Sequence, residues 1–430
     1  MTAANRAAQG GAAASRWAVA VLALSLLSRI VWVLAGAHTR TFVDLRVYLV
    51  AARTVGLGGL YDFALSEYTP TQPLPFTYPP FAALFFWPLG WLPFGVAAAV
   101  WLVVTFALLF LVITMCLALL RAHRGESPLL ADVPRTHSFA WTAAVLWLDP
   151  VRTNLDYGQI NVVLMALGVG AAYLTVRCAG RRGDLLPGFF IGLAAGIKLT
   201  PAVGGLFLLA RRRWLGAVFS GVVFAGTIGV ACLAMPKETR RYFTVLIGQT
   251  GPIGDPAKID NQALRGALSR FAGHDLATGP VVLAAIAVAG VLLAGAWWVC
   301  RRCDALIALV LVQMFGLCAS PISWIHHFVW VVPMLIWLVH GPLWNAPPAQ
   351  SRPARALVVV TFAYCLLGVH GMNGLLAVVG VHAGLGWALC LCPGLLVTIG
   401  LVVVVGSGRR TLEGTAAPTP VAGGTARPAV

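Results

Sequence analysis

Apolar stretches of about twenty residues recur along this chain and are separated by short polar breaks. They extend from residue 17 to residue 405. A helix needs about 20 apolar residues to cross the hydrocarbon core of a bilayer, whereas barrel strands are shorter and alternate in polarity. The pattern therefore predicts an all-α polytopic membrane protein, a transmembrane helix bundle with about twelve spans, outer loops and surface helices.

Charge is too scarce for a soluble domain. Hydrophobic residues make up 59% of the chain and charged residues only 10%, which is too few to cover a water-exposed surface. The net charge of +16 would suit nucleic acid in a soluble protein. Here the arginines cluster at span ends, as the positive-inside rule predicts, so we expect no nucleic-acid partner. The clusters that mark the cytoplasmic side lie within residues 177–182, 211–213, 301–302, 352–355 and 409–410.

Both ends of the chain are expected in the cytoplasm. The first apolar stretch ends in AGA at 35–37, which resembles a signal-peptidase site, but it is longer than a signal-peptide apolar region. We therefore expect a retained span that follows a cytoplasmic segment, 1–16, and precedes a first outer loop, 38–78. Residues 1–410 are expected to form one transmembrane domain, and 411–430, rich in Ala, Pro, Gly and Thr, a disordered cytoplasmic tail.

The nine cysteines indicate neither a disulfide framework nor a metal site. Most lie inside apolar stretches, where buried structural thiols are expected. Cys300 and Cys303 form a CxxC pair, but no second pair or nearby histidine completes a zinc shell. The sequence therefore predicts no metal and no cofactor.

Asp44 is a carboxylate just after the first apolar stretch, in a chain with 14 acidic and 30 basic residues. A scarce carboxylate beside Arg46 and Tyr48 at a membrane surface is a candidate for proton chemistry. The alternative is a helix cap or an interfacial residue without catalytic function. The outer loop that contains it, 38–78, is also long, and long loops without function are uncommon.

Lys198 lies near the middle of the apolar segment 185–210, and arginine clusters flank both ends of that segment. One crossing cannot place both clusters in the cytoplasm. A hairpin of two short helices, with Lys198 at the outer tip or in a cavity, satisfies both charge and length. The alternative is that Lys198 extends to the interface or pairs with an acid.

On this topology, polar side chains gather at the outer face, which favours a site working on something presented from the bilayer. Sugar transfer from a lipid phosphate fits, because a carboxylate can deprotonate an acceptor hydroxyl while cations stabilise the departing phosphate. Interhelical hydrogen bonding is the alternative for the amides, and loop termination for the Tyr-Pro-Pro at 78–80. The converging residues are Asp44, Tyr78, Asp156, Gln159, Asn161, Lys198, Arg265, His326 and His327.

Two adjacent histidines on a helix point to different faces, so at most one of His326 and His327 is expected to reach a substrate. Metal ligation by the pair is the weaker interpretation, because no carboxylate or histidine stands four residues on.

Six motifs in order and spacing give the chain a resemblance to glycosyltransferase family 87, polytopic enzymes of the GT-C type from actinobacteria. They cover roughly residues 44–327 and read DLRVY (44–48), LPFTYPPFA (74–82), GQIN (158–161), GIKLTP (196–201), NQALRG (261–266) and SPISWIHH (320–327). Together they are specific, although each alone is weak.

The resemblance implies a polyprenyl-phosphate-mannose donor and an α-1,2-mannosidic product, formed at the periplasmic face of the plasma membrane. The acceptor would be a phosphatidylinositol mannoside, lipomannan or lipoarabinomannan. Asp44 maps onto the acid thought to be the base. A β-linked donor and an α-linked product imply inversion in one displacement, with one base and no covalent intermediate. The principal hypothesis is an inverting enzyme that needs no metal. The residues expected to bind substrate are Arg46, Tyr48, Tyr78, Gln159, Asn161, Lys198, Asn261, Gln262, Arg265, His326 and His327.

Two alternatives remain open from the sequence. The same fold could use decaprenyl-phosphate-arabinose, because a related branch of the family transfers arabinofuranose. A lipid or solute transporter would also contain many spans with an intramembrane lysine or aspartate. Alternating access, however, requires polar residues in both leaflets and repeats that the sequence lacks.

Overall fold

Helices account for nearly all regular structure in the computed structural model, which describes residues 3–35, 42–67, 73–249, 251–300 and 304–414. Within these ranges there are nineteen α-helices, so the predicted all-α class is confirmed. In chain order they are α1 (Ala3–Ala35), α2 (Val43–Arg53), α3 (Pro80–Gly90), α4 (Phe94–His123), α5 (Arg135–Val145), α6 (Asp149–Tyr157), α7 (Asn161–Arg177), α8 (Arg182–Ile197), α9 (Gly204–Ala210), α10 (Trp214–Ala234), α11 (Pro236–Arg241), α12 (Leu264–Ala272), α13 (Pro280–Cys300), α14 (Ala305–Ala319), α15 (Val331–His340), α16 (Pro348–Val378), α17 (Gly384–Cys390), α18 (Pro393–Ser407) and α19 (Arg409–Gly414).

Short irregular elements join these helices. Two-residue strands β1 (Ala64–Leu65) and β2 (Leu74–Pro75) pair antiparallel, with Ala64 opposite Pro75. A π-helical turn follows α11, and the four 3-10 turns include one directly after the SPISW sequence. The π turn is Tyr242–Leu246, and the 3-10 turns are Leu130–Asp132, Thr200–Val203, Gly251–Ile253 and Ile325–Trp330.

Five described helices are long and apolar enough to cross a membrane: α1, α4, α10, α13 and α16. The pair α17 and α18, bent by 85°, makes a sixth if it counts as one span. Shorter apolar helices contact these spans: α3 packs on α10, α7 and α15 pack on α4, and α14 packs on α13. The chain is therefore a multi-pass membrane protein, while the number of about twelve spans stays a prediction.

The long apolar sequence after residue 78 is broken before Phe94, next to Pro93. The short helix α3 ends at Gly90, and α4 begins at Phe94 after Pro93. Likewise, the segment 185–210 breaks at Lys198, because α8 ends at Ile197 and helical structure resumes at Thr200. Lys198 therefore lies between helices rather than inside one.

Helix α2 is held against the rest of the bundle by one apolar face. Leu45, Tyr48, Leu49 and Ala52 recur at spacings of three and four residues, and all are buried. They pack in a cluster with residues of α3, the start of α4 and the end of α8. Burying each large side chain stabilises the arrangement by roughly 1.5–3 kcal/mol. Asp44 is thereby fixed at the edge of this face.

Helices α8 and α10 pack closely along a stripe of small residues, GxxxGxxxG at 188–196. A Cβ atom added to Gly196 would lie 2.3 Å from Thr227 Oγ1, and one added to Gly192 would lie 2.4 Å from the Ser220 carbonyl oxygen. Only glycine permits this approach. The packing fixes the end of α8, from which Lys198 projects.

Some predictions concern segments outside the described residues. These include the start of the first outer loop, Cys303 of the CxxC pair and residues 415–430 of the predicted tail. The first four residues of that tail, 411–414, belong to α19.

Candidate active site

A cavity of about 350 Å³ opens among the start of α2, the loop before α3, the junction of α6 and α7, the break after α8 and the 3-10 turn Ile325–Trp330. Segments separated by more than 280 positions in sequence thus contribute to one wall. Asp44, Tyr78 and Lys198 all line this cavity.

Asp44 is held in a network of amide and phenol groups. Gln159 Nε2 donates to Asp44 Oδ2 at 2.7 Å. The other end of the same amide, Gln159 Oε1, accepts from Tyr48 Oη at 2.9 Å, and the Tyr48 and Tyr78 hydroxyls are also 2.9 Å apart. Because Gln159 is bound at both ends, its amide is fixed with the N–H toward the carboxylate. One oxygen of Asp44 is thereby oriented.

A tight turn between α6 and α7 presents Gln159 to Asp44. Gly158 ends α6 in the left-handed region, with φ of 67°. A Cβ atom at Gly158 would lie 2.7 Å from Leu45 Cβ, so α2 approaches this turn too closely for any other residue. The Phe42 N–H donates to the Asp156 carbonyl at 2.7 Å and fastens the start of α2 to the same turn.

Lys198 enters the cavity from the break after α8. Its Nζ donates to Asn161 Oδ1 at 3.1 Å and lies 3.0 Å from His327 Nε2. It also lies 5.1 Å from the centre of the Tyr78 ring, a favourable cation–π distance. Asn161 in turn donates to Gln159 Oε1 at 3.3 Å. Two amides therefore connect the carboxylate with the ammonium.

The two histidines differ in what they contact. His327 Nε2 is held by Lys198, as described. His326 is buried, packs edge-on against Tyr157 and lines the cavity, yet neither of its ring nitrogens has a hydrogen-bond partner among the described residues. Buried polar atoms are normally satisfied. A ligand in the cavity could supply the hydrogen bonds to these ring nitrogens.

Burial controls the charges of the site. It raises the pKa of Asp44 to about 6, against the opposing effects of the hydrogen bond from Gln159 and the positive charge of Lys198. Burial also lowers the pKa of Lys198 to about 7, and the charge of Asp44 partly offsets this. A carboxylate with a pKa near neutrality is suited to general-base catalysis.

Asn261 and Gln262 lie beside the cavity rather than in its wall. Asn261 Oδ1 accepts from the Ser323 N–H at 3.0 Å, and the Gln262 N–H donates to the Ser323 carbonyl at 2.7 Å. Gln262 Nε2 donates to the Leu391 carbonyl at 3.1 Å. Both side chains are completely buried. In this structure they fasten the 3-10 turn that bears His326 instead of facing the cavity, contrary to the predicted substrate contact.

Arg46 and Arg265 are also absent from the cavity wall. The Arg46 guanidinium lies 3.6 Å from the centre of the Phe94 ring. Arg265 makes a bidentate pair with Asp275, with distances of 2.9 Å and 2.6 Å. We predicted Arg265 near a phosphate, but in the structure Arg265 pairs with Asp275 and does not line the cavity. Lys198 is the predicted cation that does line the cavity.

Several cavity residues were not predicted as site residues. Thr153 and Tyr157 come from α6, and Lys258 and Asp260 come from the loop before α12. The sequence signal of Lys258 and Asp260 was weak, since charges in a loop are usually solvated. Asp156, which was predicted at the outer face, forms an ion pair with the buried Arg29 of α1.

The arrangement can support acid–base and phosphate chemistry in one place. Asp44 offers an oriented carboxylate, and Lys198 offers an ammonium within the same cavity. Tyrosine, histidine and amide groups can hydrogen-bond hydroxyl-rich or phosphate-bearing molecules. The fold and the site together define a multi-pass membrane enzyme with its cavity at one end of the helix bundle.

Comparison with known proteins identifies the family. Residues 76–321 match the sequence model of glycosyltransferase family 87. The chain belongs to this family and is a membrane glycosyltransferase.

Two curated relatives carry the same name, polyprenol-phosphate-mannose-dependent alpha-(1-2)-phosphatidylinositol pentamannoside mannosyltransferase. The chain is 42% identical to the one from Mycobacterium tuberculosis (strain CDC 1551 / Oshkosh) over 379 residues, covering 87% of this chain and 82% of the relative. It is 42% identical over 356 residues to that from Mycolicibacterium smegmatis (strain ATCC 700084 / mc(2)155), covering 82% of each.

A third relative, from Mycobacterium tuberculosis (strain ATCC 25618 / H37Rv), is a polyprenol-phosphate-mannose-dependent alpha-(1-2)-phosphatidylinositol mannoside mannosyltransferase. It is 34% identical over 335 residues, covering 74% of each chain. Among solved structures, ArnT from Cupriavidus metallidurans bound to undecaprenyl phosphate aligns with 92% of this chain and 77% of its own, at 16% identity and a TM-score of 0.36.

Proposed function

We propose that this enzyme transfers mannose from a polyprenyl-phosphate-mannose donor to a phosphatidylinositol mannoside and forms an α-1,2 linkage. The observation that carries the proposal is the placement of Asp44 and Lys198 in one cavity, joined through two amides. The names of the relatives at 42% identity support the mannose donor over an arabinose donor. They also support an enzyme over a transporter.

The reaction is a single inverting displacement. Asp44 takes the proton of an acceptor hydroxyl as that oxygen forms a bond to the anomeric carbon of mannose. The bond between this carbon and the phosphate oxygen breaks on the opposite face, and polyprenyl phosphate leaves as an anion. Lys198 stabilises the negative charge that develops on it. Because phosphate leaves well, no general acid is required.

The remaining cavity residues either bind substrate or position Asp44 and Lys198. His326 contacts substrate directly, since its ring lines the cavity with both nitrogens unpartnered among the described residues. His327 instead holds Lys198 in place through its Nε2 atom. Tyr48 and Gln159 orient the carboxylate, so that its second oxygen faces the acceptor.

The acceptor of the proposal is the pentamannoside. Identity is 42% to the relatives named for that acceptor and 34% to the one named for a phosphatidylinositol mannoside. Thr153, Tyr157 and Asp260 add hydroxyl and carboxylate groups to the cavity wall, where a chain of sugars would be hydrogen-bonded.

We place the cavity on the periplasmic face and the N-terminus in the cytoplasm, in a GT-C type bundle. The arginine-rich segment between α9 and α10, residues 211–213, lies at the opposite end of α10 from Tyr242, which lines the cavity. The positive-inside rule puts the arginines in the cytoplasm and the cavity outside.

We further propose that catalysis needs no metal. Lys198 supplies the positive charge that a divalent cation would otherwise bring to the phosphate. Transfer that continues at an unchanged rate after exhaustive chelation supports this. A loss of activity that magnesium or manganese restores contradicts it.

The test uses purified full-length protein in liposomes, labelled polyprenyl-phosphate-mannose and phosphatidylinositol mannosides of defined size. Asp44→Asn keeps size and hydrogen bonding but removes the base, so we expect no detectable transfer. Asp255→Asn is the matched control, because the Asp255 carboxylate is exposed and Asp255 itself does not line the cavity. The product must be cleaved by an α-1,2-specific mannosidase. Normal turnover by Asp44→Asn, or transfer only from an arabinose donor, would overturn the proposal.

A further inference from the structure

Helix α11 carries basic residues on the face of the membrane where the positive-inside rule does not predict them. It follows directly after the span α10, at the end that the cavity shares, and its sequence is PKETRR. Lys237, Arg240 and Arg241 are all exposed. Basic residues at the outer end of a span need a local explanation, because charge bias places most of them in the cytoplasm.

Two charged groups of α11 are used within the protein. Glu238 Oε1 accepts from the Gly59 N–H at 3.2 Å, and Arg241 forms an ion pair with Asp62. Glu238 and Arg241 are three residues apart, so they share one face of the helix. That face holds α11 against the first outer loop.

The other two cations share the neighbouring face. Lys237 and Arg240 are also three residues apart and project outward together. Neither forms an ion pair with any residue that the structure describes. A helix held through Glu238 and Arg241 therefore leaves a pair of exposed cations beside the held face.

Along the chain, this cation pair stands between the span α10 and a residue of the cavity wall. Leu233, near the outer end of α10, is 88% exposed, as expected of a side chain that faces lipid. On the other side of the pair, Tyr242 follows α11 directly, stacks on Tyr61 with ring centres 5.9 Å apart and lines the cavity. A lipid headgroup at the end of α10 that leads into α11 would therefore meet both cations close to the cavity wall.

We infer that Lys237 and Arg240 bind the phosphodiester of the acceptor's lipid headgroup at the membrane surface. The inference rests on the proposed function, in which the acceptor is an anionic glycolipid. The donor phosphate must lie at the reacting carbon, beside Lys198. The acceptor phosphate, in contrast, is separated from the reacting hydroxyl by its sugars, and so lies outside the cavity while that hydroxyl reaches Asp44. Each basic residue near a membrane surface contributes favourably to the binding free energy of an anionic lipid.

The experiment compares two acceptors in liposomes of zwitterionic lipid: a phosphatidylinositol mannoside, and the same mannoside on an uncharged alkyl anchor. The double variant Lys237→Gln, Arg240→Gln is expected to raise KM for the phosphate-bearing acceptor roughly tenfold or more. Its kcat, its KM for the donor and its KM for the uncharged acceptor are expected to remain at wild-type values. The charge-conserving variant Lys237→Arg, Arg240→Lys should retain normal KM, and an unchanged melting temperature shows that folding is intact.

Arg181→Gln, Arg182→Gln is the matched control, because these arginines are also exposed but belong to the opposite membrane face. It should leave both acceptors unaffected. An equal change of KM for both acceptors, no change for either, or a rise in donor KM would overturn the assignment.

A binding measurement separates this inference from the proposed function. Native mass spectrometry of the solubilised chain should show retained phosphatidylinositol. The double variant should retain less phosphatidylinositol than wild type, but the same amount of diacylglycerol. Unchanged phosphatidylinositol retention would overturn the site even if mannose transfer is normal. Failure of the wild type to transfer mannose to any acceptor would instead overturn the proposed function.

Discussion

Gln159→Leu tests whether Asp44 is the base and whether the amide controls it. The substitution removes the 2.7 Å hydrogen bond to Asp44 Oδ2 while keeping a side chain of similar volume. That bond stabilises the carboxylate and opposes the effect of burial, which raises the pKa of Asp44 to about 6. Without the bond, the carboxylate should protonate at higher pH.

The magnitude follows from the strength of a hydrogen bond to a charged group. Such a bond contributes about 1.5–3 kcal/mol, and 1.36 kcal/mol corresponds to one pKa unit, so the acid limb of kcat should move up by about one to two pH units. The smaller ionised fraction of Asp44 then predicts that the kcat of Gln159→Leu is lower than that of wild type by about fivefold to fiftyfold at pH 6, but by no more than about twofold at pH 8.

The assay is mannose transfer from pH 5 to pH 9 at saturating donor, because a bound phosphate would keep Lys198 charged across this range. Gln249→Leu, on the exposed outer surface, is the control and should give the wild-type profile. A uniform loss of kcat with the acid limb unmoved would refute the reasoning. It would mean that Gln159 supports the fold of the site but does not set the ionisation of the base.

Three further substitutions test other parts of the site. Lys198→Met should raise the donor KM by about tenfold to a hundredfold. In wild type, kcat/KM for the donor should fall as the pH rises through the Lys198 pKa of about 7. The variant should not show this fall. Gly158→Ala places a Cβ atom 2.7 Å from Leu45 Cβ at positive φ, so it should cost about 1–3 kcal/mol and lower the melting temperature, and a wild-type melting temperature would count against the close packing. Arg265→Gln should lower the melting temperature by breaking the pair with Asp275 but leave donor KM within about twofold, whereas a large rise in donor KM at normal stability would restore Arg265 to the phosphate site.

The sequence predicted Asp44 and Lys198 because each conflicts with its surroundings. A carboxylate is rare in this chain, and a lysine in an apolar segment is costly, so both stood out without knowledge of the fold. The flanking arginines even located the break at Lys198, since no single span could satisfy them. Physical conflicts of this kind can be read from one sequence.

The roles of Asn261 and Arg265 could not be derived in the same way. Their residue types suit substrate binding. In the structure, however, Arg265 forms an ion pair with Asp275, ten residues further on, and Asn261 accepts a hydrogen bond from the backbone of Ser323. Both outcomes depend on tertiary contacts, which local pattern does not encode. The ion pair of the buried Arg29 with the partly exposed Asp156 joins residues 127 positions apart and could not be predicted from the sequence either. Span number was uncertain because several apolar helices are shorter than a full crossing.

The two central charges are connected but not paired. No ion pair joins Asp44 to Lys198 in the part of the chain that the structure describes, because Gln159 and Asn161 stand between them. A direct salt bridge would stabilise both charges, and so would weaken the carboxylate as a base and occupy the ammonium that the phosphate needs. The amides hydrogen-bond to each charged group without neutralising it. In the proposed mechanism, this leaves Asp44 available to the acceptor hydroxyl and Lys198 to the leaving phosphate, which is the division of roles that a single inverting displacement requires.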